Sequence, residues 1–234
     1  MNPQYTKASP ETIQAMFGSI AARYDRANAL LSFCLHKIWN RALVKRIAKA
    51  APVGDLLDLA SGTGDIAFAF RKIAYARVTL LDFCPEMLAV ARCKAGALDG
   101  LTFQCADAQA LPFADHSYDA ATMAYGLRNV ADPHLCAQEV WRVLRPGAIW
   151  GILELTRPRS ALLRFGHRLY LKTLLPLLGR WIATDGQAYR YLSSSISAFL
   201  APAQIESMLK ETGFKRVWSK PLLGGVATLI FAQK

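Results

Sequence analysis

The chain has 234 residues, 53% of them apolar and 19% charged, which is enough to bury a core and too apolar for disorder to dominate. Its formal charge of +11, from 28 Lys and Arg against 17 Asp and Glu, directs attention to an anionic partner: nucleic acid, an acidic membrane surface or a phosphorylated substrate. The opening MNPQYTKASPETIQ has no apolar secretory core, and no run of about 18 uncharged apolar residues occurs, so neither a signal peptide nor a transmembrane helix is expected.

Residues 10–52 carry the first elements. IQAMFGSIAARYDRANALL and HKIWNRALVKRIAKA have apolar residues at three-to-four spacing and predict two helices, expected as a lid over the ligand-binding edge of the domain. His36 and His167 are both candidate bases, but His36, near Trp39, reads as a packed or capping histidine, and neither is assigned a role. From 55 to 154 the signals alternate. DLLDLA, RVTLLDF, LTFQCADA, SYDAATMAY and AIWGILEL read as strands, with IAFAFRKIA, PEMLAVARCKA and CAQEVWRVL as helices between them. Such alternation predicts right-handed βαβ units, a parallel sheet and a cofactor-binding core.

Residues 155–186 are basic and apolar together: six Lys or Arg and no Asp or Glu lie between Arg157 and Thr184, among Leu162, Leu163, Phe165, Leu169, Leu174, Leu175, Leu177, Leu178 and Trp181. This stretch is expected as a cap insertion. Residues 187–234 hold a helix ending at a glycine, QIESMLKETGF, and two closing strands, KRVWSKPLL and VATLIFAQ, predicted to form an antiparallel hairpin. The fold expected is a single α/β domain, a Rossmann-like doubly wound seven-stranded mixed sheet.

Charge divides along the same boundaries. Residues 1–54 carry a net +6, residues 55–154 a net −4 and residues 155–234 a net +9. The five cysteines, Cys34, Cys84, Cys93, Cys105 and Cys136, form no CxxC pair and read as reduced, mostly buried thiols of a cytosolic protein. No His/Cys/carboxylate spacing suggests a metal.

The first βα turn reads Asp58-Leu59-Ala60-Ser61-Gly62-Thr63-Gly64-Asp65. Small residues let a ligand approach the backbone, and helix N-terminal amides point into such a turn. The pattern is D-x-A-x-G-x-G rather than G-x-G-x-x-G, so a pyrophosphate is poorly matched. The acid that opens it suits the cationic sulfonium and amino group of S-adenosylmethionine. Asp82 ends the second strand, where a carboxylate can take both ribose hydroxyls, with Phe83 beside it. Asp107 follows the third strand, placed to accept from an adenine amino group while Ala108 offers its N–H. Asp58, Ala60, Gly62, Thr63, Gly64, Asp82, Phe83, Asp107 and Ala108 are therefore the expected cofactor residues, on the ligand edge of the sheet. With RVLRPGA at 142–148, residues 55–154 resemble a class I S-adenosylmethionine-dependent methyltransferase.

Longer strings resemble a narrower family, the ubiquinone/menaquinone biosynthesis C-methyltransferases. They are MFGSIAARYDRANALLS, HKIWNR, DLASGTGD, LDFCPEML, DAQALPFADHSYD, YGLRNVADP, ILELTRP and AYRYLSSSISAF, in that order, covering essentially the whole chain from about residue 15. The chain departs from the family pattern at Cys34, where Gly is usual, at Ser61 (Cys or Gly), Ala124 (often Ser), Ser194 (Glu nearby) and Leu200 (Pro). The resemblance implies methylation of a ring carbon on a polyprenylated quinol, most simply demethylmenaquinol, with the ubiquinone-pathway benzoquinol as the other ring. S-adenosylhomocysteine is the co-product. It also implies Arg128, Asn129 and Tyr24 as the catalytic set. A guanidinium stays protonated, so Arg128 is expected to hold the hydroquinol oxygen as its anion, Asn129 to orient it and Tyr24 to relay the proton. The bland alternatives are that Arg128 pairs with a core acid such as Asp132 and that Tyr24 only packs the N-terminal helix.

A polyprenyl substrate stays in the bilayer, so the 157–184 segment is expected to meet an anionic membrane surface, placing the protein peripherally on the inner face of the cytoplasmic membrane. Its apolar surface also suits a homodimer. RNA methylation on the same fold is the competing reading. Against it stand the absence of N-P-P-Y and of a Pro-Cys nucleophile, and a basic segment rich in leucine rather than stacking aromatics. Nucleic acid is not an expected partner. A cofactor-binding scaffold without catalysis is the third reading.

Overall fold

A computed structural model describes residues 9–51, 53–174 and 187–234. The strands are β1 Val53–Leu59, β2 Tyr75–Asp82, β3 Leu101–Cys105, β4 Tyr118–Ala124, β5 Leu144–Leu155, β6 Arg216–Leu222 and β7 Ala227–Gln233. They form one sheet in the order β3-β2-β1-β4-β5-β7-β6. The first five run parallel. β7 lies antiparallel between β5 and β6, so the predicted closing hairpin is present. Strand order reverses between β1 and β4, which opens a crevice at the C-terminal ends of those strands.

Both faces of the sheet are covered, and side chains alternate between them with period two. Leu57, Leu59, Met123, Trp150 and Ile152 pack on one side. Leu56, Leu80, Ala120, Leu153 and Phe231 pack on the other. The helices are α1 Pro10–Ile20, α2 Tyr24–Leu31, α3 Leu35–Ala50, α4 Asp65–Arg71, α5 Pro85–Ala95, α6 Pro133–Val143, α7 Ala161–Leu169, α8 Gln187–Ala198 and α9 Pro202–Thr212.

The N-terminal region departs from the sequence expectation in two ways. The first predicted helix is interrupted by a 3-10 turn at Ala21–Arg23, giving α1 and α2. The helix α3 does not serve as a lid: it is a layer of the core. Its stripe of Trp39, Leu43, Val44 and Ile47 is buried against α4 and the β5 and β4 face of the sheet. A Cβ at Gly151 of β5 would lie 2.7 Å from the ends of Leu43 and Ile47, so glycine there admits the helix onto the strand. α1 and the start of α2 pack on α5 through Phe17, Ala21 and Tyr24 against Cys84, Met87 and Val90, and polar ties to the crevice edge add to this. Gln14 Nε2 donates to the Phe83 carbonyl (2.7 Å) and the Thr63 hydroxyl to Asp25 (2.5 Å). Lys94 bridges Asp25 (2.7 Å) and Asp65 (3.0 Å).

Between α2 and α3 the backbone turns through two left-handed residues, Phe33 (φ 48°) and Cys34 (φ 61°). The cysteines also differ from expectation: Cys84 and Cys136 are buried, but Cys34, Cys93 and Cys105 are exposed. Of the expected cap insertion, α7 and a π-helical turn at Tyr170–Leu174 are seen, and α7 buries none of its residues. Leu175, Leu177, Leu178 and Trp181 lie outside the described residues.

Candidate active site

The crevice begins with the turn after β1. Gly64 caps α4 with φ 89°, a left-handed conformation that glycine adopts freely, and a Cβ there would meet Phe68 at 2.6 Å. That geometry sets Asp58, Ala60 and Gly62 at the strand end. Asp58 is 1% exposed. Its Oδ1 accepts the Thr122 hydroxyl (2.7 Å) from β4, while Oδ2 is buried with no hydrogen-bond partner. Burial pushes its pKa up to about 7, against the Thr122 hydrogen bond. The Ser61 hydroxyl is likewise buried and unpartnered. An orphaned carboxylate oxygen is costly unless a donor arrives, and a cationic ammonium is a matching donor. The residues present therefore fit the amino-acid end of S-adenosylmethionine.

Asp82 stands at the end of β2. It accepts the Gly62 N–H through Oδ2 (2.8 Å) and the Cys84 N–H through Oδ1 (2.9 Å), fixing the carboxylate with lone pairs to spare. Its pKa is raised by burial despite these bonds. Asp107, beyond β3, accepts from the Gln109 N–H (2.9 Å) and side chain, which orients it. Ala60, Gly62, Asp82, Phe83, Asp107, Ala108, Tyr24 and Asn129 line one continuous cleft. Asp58 and Thr63 line the polar pocket adjoining it, together with Tyr24, His36 and Tyr125. Gly64 lines neither and shapes the turn from behind.

A second cavity, of about 600 Å³, is walled mainly by apolar residues including Leu31, Trp39, Leu155, Leu171 and Ile196. Tyr24, Asn28, His36, Tyr125 and Arg128 supply polar groups at its walls. Tyr24 and Tyr125 border this cavity, the cofactor cleft and the polar pocket alike, so they stand where the spaces meet.

The expected catalytic set is divided by this geometry. Arg128 faces the apolar cavity, whereas Asn129 faces the cofactor cleft. Arg128 does pair with a core acid, but the acid is Glu154 of β5. Asp132 instead caps α6, accepting from the N–H groups of His134 (2.8 Å) and Leu135 (3.2 Å). Glu154 takes the Arg128 guanidinium and its backbone N–H (3.2 Å). Burial works against the guanidinium charge, but Glu154 more than offsets it, so the pKa is raised. Asn129 accepts the Tyr191 hydroxyl (3.0 Å). The Tyr24 pKa is raised by burial, opposed by Asn28 and the Arg128 charge.

The sequence does not single out Tyr125, Ser32 or Glu154, and it leaves His36 without a role. A signal for Glu154 exists: a lone acid inside the apolar run ILEL needs a buried partner. Among the described residues no cluster of three His, Cys, Asp or Glu is placed to hold a metal, and no helix is long and apolar enough to cross a membrane.

The sheet order, the acid-glycine turn and the orphaned acceptor together define a class I S-adenosylmethionine-dependent methyltransferase. Solved structures share the fold. A methyltransferase of Thermotoga maritima superposes with TM-score 0.66 at 18% identity, over 94% of this chain and 99% of its own. A Haemonchus contortus phosphoethanolamine N-methyltransferase, solved with S-adenosylhomocysteine, gives 0.64 at 16%, over 84% of this chain and 52% of its own. The family model described as ubiE/COQ5 methyltransferase matches residues 5–234, and the chain belongs to that family. Relatives include the demethylmenaquinone methyltransferase of Protochlamydia amoebophila, 48% identical over 98% of each chain. The Geotalea daltonii ubiquinone/menaquinone biosynthesis C-methyltransferase UbiE is 38% identical over 96% of this chain and 97% of its own.

Proposed function

We propose that this enzyme methylates a ring carbon of a polyprenylated quinol, with demethylmenaquinol as substrate and menaquinol as product. The observation that carries the reading is the apolar cavity of about 600 Å³ meeting the cofactor cleft at Tyr24 and Tyr125. Such a space suits an aromatic ring and the start of an isoprenoid tail. Demethylmenaquinol is preferred to the benzoquinol because demethylmenaquinone methyltransferases are among the relatives of highest identity.

S-adenosylmethionine supplies an electrophilic methyl group. The ring must be in its reduced form, since a quinone carbon is itself electrophilic, and loss of a hydroxyl proton makes the carbon nucleophilic. Asp58 anchors the cationic amino group, Asp82 the ribose and Asp107 with Ala108 the adenine, while Ala60, Gly62, Thr63, Gly64 and Phe83 shape the surrounding cradle. Arg128, held by Glu154, offers a fixed positive charge to the developing quinol anion. Tyr24 walls the junction and excludes water. Asn129, on the cleft side, helps position the methyl group rather than the ring.

The cavity mouth suits an anionic bilayer as partner. Leu162 is 80% exposed, Phe165 68% and Phe33 63%, and Leu162, Phe33 and Leu223 also line the cavity. Arg157, Arg159 and Arg168 lie in or beside the same segment. Exposed apolar side chains beside cations are the two terms that bind anionic lipid.

Purified protein with methyl-labelled S-adenosylmethionine and a short-tailed demethylmenaquinol, kept reduced, should give labelled menaquinol and S-adenosylhomocysteine in equal amounts. The oxidised quinone should give neither. Label transferred to RNA instead would remove the reading.

A further inference from the structure

One polar group in the apolar cavity is untouched by the roles assigned to Arg128, Asn129 and Tyr24. His36, the second residue of α3, is 6% exposed and lines both the cavity and the polar pocket beside Asp58. Its Nδ1 lies 2.6 Å from the Ser32 Oγ. The Ser32 hydroxyl also lies 2.6 Å from the Asn28 carbonyl, which can only accept, so we assign its single proton to that bond. Ser32 can therefore only accept from the ring, which places the histidine proton on Nδ1 and leaves a bare lone pair on Nε2. Among the described residues nothing hydrogen-bonds Nε2, and it is not among the atoms sealed from solvent. On this assignment a mainly apolar cavity, with Asn28 and Arg128 among its few polar walls, holds an oriented, unprotonated imidazole nitrogen.

We propose that His36, through Nε2, is the base that takes the proton from the quinol hydroxyl, with Ser32 as the positioning residue that fixes its tautomer. This rests on the quinol reading of the cavity. The proton passes from the quinol oxygen to Nε2, and the oxygen's electron pair delocalises to the ring carbon. That carbon bonds the methyl group while the C–S pair stays on sulfur. The carbon then loses its own hydrogen as a proton, the oxygen regains one, and the ring is aromatic again. One proton per turnover leaves through His36 to solvent.

The surrounding groups suit the role. Burial lowers the His36 pKa, with Lys37 of α3 acting the same way and Asp65 and Asp25 opposing, so the ring is neutral at pH 7. The other titratable groups at the cavity are worse bases. Tyr24 and Tyr125 have pKa values raised chiefly by burial, that of Tyr170 reaches about 12, and Arg128 is committed as a cation to Glu154. His167 is also lowered by burial, but it sits on the exposed α7, away from the polar pocket that His36 shares with Asp58.

The test is kcat against pH at saturating S-adenosylmethionine for the wild type, His36→Asn and His36→Gln, with calorimetric S-adenosylmethionine affinity as the check of folding. The wild type should lose rate below an apparent pKa under the ordinary histidine value. The variants should fall about 100-fold or more, the scale of general-base catalysis, and lose that acid limb while keeping cofactor affinity within about twofold. Variants within about tenfold of wild type, or with the acid limb intact, overturn the proposal, as does an Nε2-protonated His36 in nitrogen NMR of the wild type. A wild type inactive on the quinol overturns the substrate reading itself, which separates the two failures.

Discussion

Arg128 and Glu154 form an ion pair whose side chains are 6% and 0% exposed, one on the 3-10 turn after β4 and the other inside β5. Neither charge can be removed alone without leaving its partner uncompensated in a dry site. Glu154→Ala should therefore lower unfolding stability by about 3–5 kcal/mol. Adding Arg128→Ala to it should cost less than the sum of the single changes. A urea double-mutant cycle measures this, and strict additivity would contradict a coupled pair. Arg128→Ala alone is expected to abolish turnover and to sacrifice stability, while folded protein keeps its S-adenosylmethionine affinity.

Asp58 gives a pH signature to cofactor binding. Its folded pKa near 7 means that it is neutral below that value and charged above it. The cationic amino group prefers the charged form, so affinity should rise as pH passes upward through about 7. Asp58→Asn should weaken binding by about 10- to 100-fold, the worth of a charge-assisted hydrogen bond, and flatten the pH dependence. Calorimetry from pH 6 to 8.5 decides. A dependence unchanged in the variant assigns the titration elsewhere.

Most of the sheet is legible in the sequence because its strands are continuous apolar runs separated by turn residues, and Asp58, Asp82 and Asp107 can be placed at strand ends for the same reason. The break at Ala21–Arg23 is not legible, because apolar periodicity runs straight through it. The role of α3 is hidden too: a stripe such as Trp39, Leu43, Val44 and Ile47 says that a face is buried, not what it is buried against. Arg128 and Asn129 are adjacent in sequence and read there as one unit. Successive residues in a 3-10 turn diverge, and the two face different spaces. Ser32 lies between the two predicted N-terminal helices and His36 opens the second, but the hydrogen bonds that orient the ring need the Asn28 carbonyl in place.

Cys34 stands where the family usually has glycine, and its φ of 61° gives the reason. A left-handed residue with a side chain is strained by about 1–2 kcal/mol. Cys34→Gly should raise stability by about 1 kcal/mol once the extra unfolded-state entropy of glycine is subtracted. Thermal denaturation reads the change directly, and a loss of stability would mean that the Cys34 side chain contributes more than its strain.

The exposed face of α7 should govern lipid binding. Leu162→Ser and Phe165→Ser should each reduce partitioning to vesicles containing anionic lipid by about tenfold, since burying such a side chain is worth about 1.5–3 kcal/mol. Turnover of a short-tailed, water-soluble quinol should be unaffected by Phe165→Ser, which lies outside the cavity lining. Co-sedimentation that ignores both substitutions and lipid charge would assign α7 to another surface.

Lys94, tied to both Asp25 and Asp65, joins the N-terminal helices to the sheet edge through contacts that water reaches. The sheet itself is held by dry apolar layers. The two fastenings answer to different solvents. Exposed ion pairs weaken once the Debye length shrinks to about 10 Å at 0.1 M salt, whereas apolar layers do not. Raised ionic strength should therefore loosen the ionic part of the attachment of α1 and α2 to the crevice edge while the apolar layers of the sheet hold.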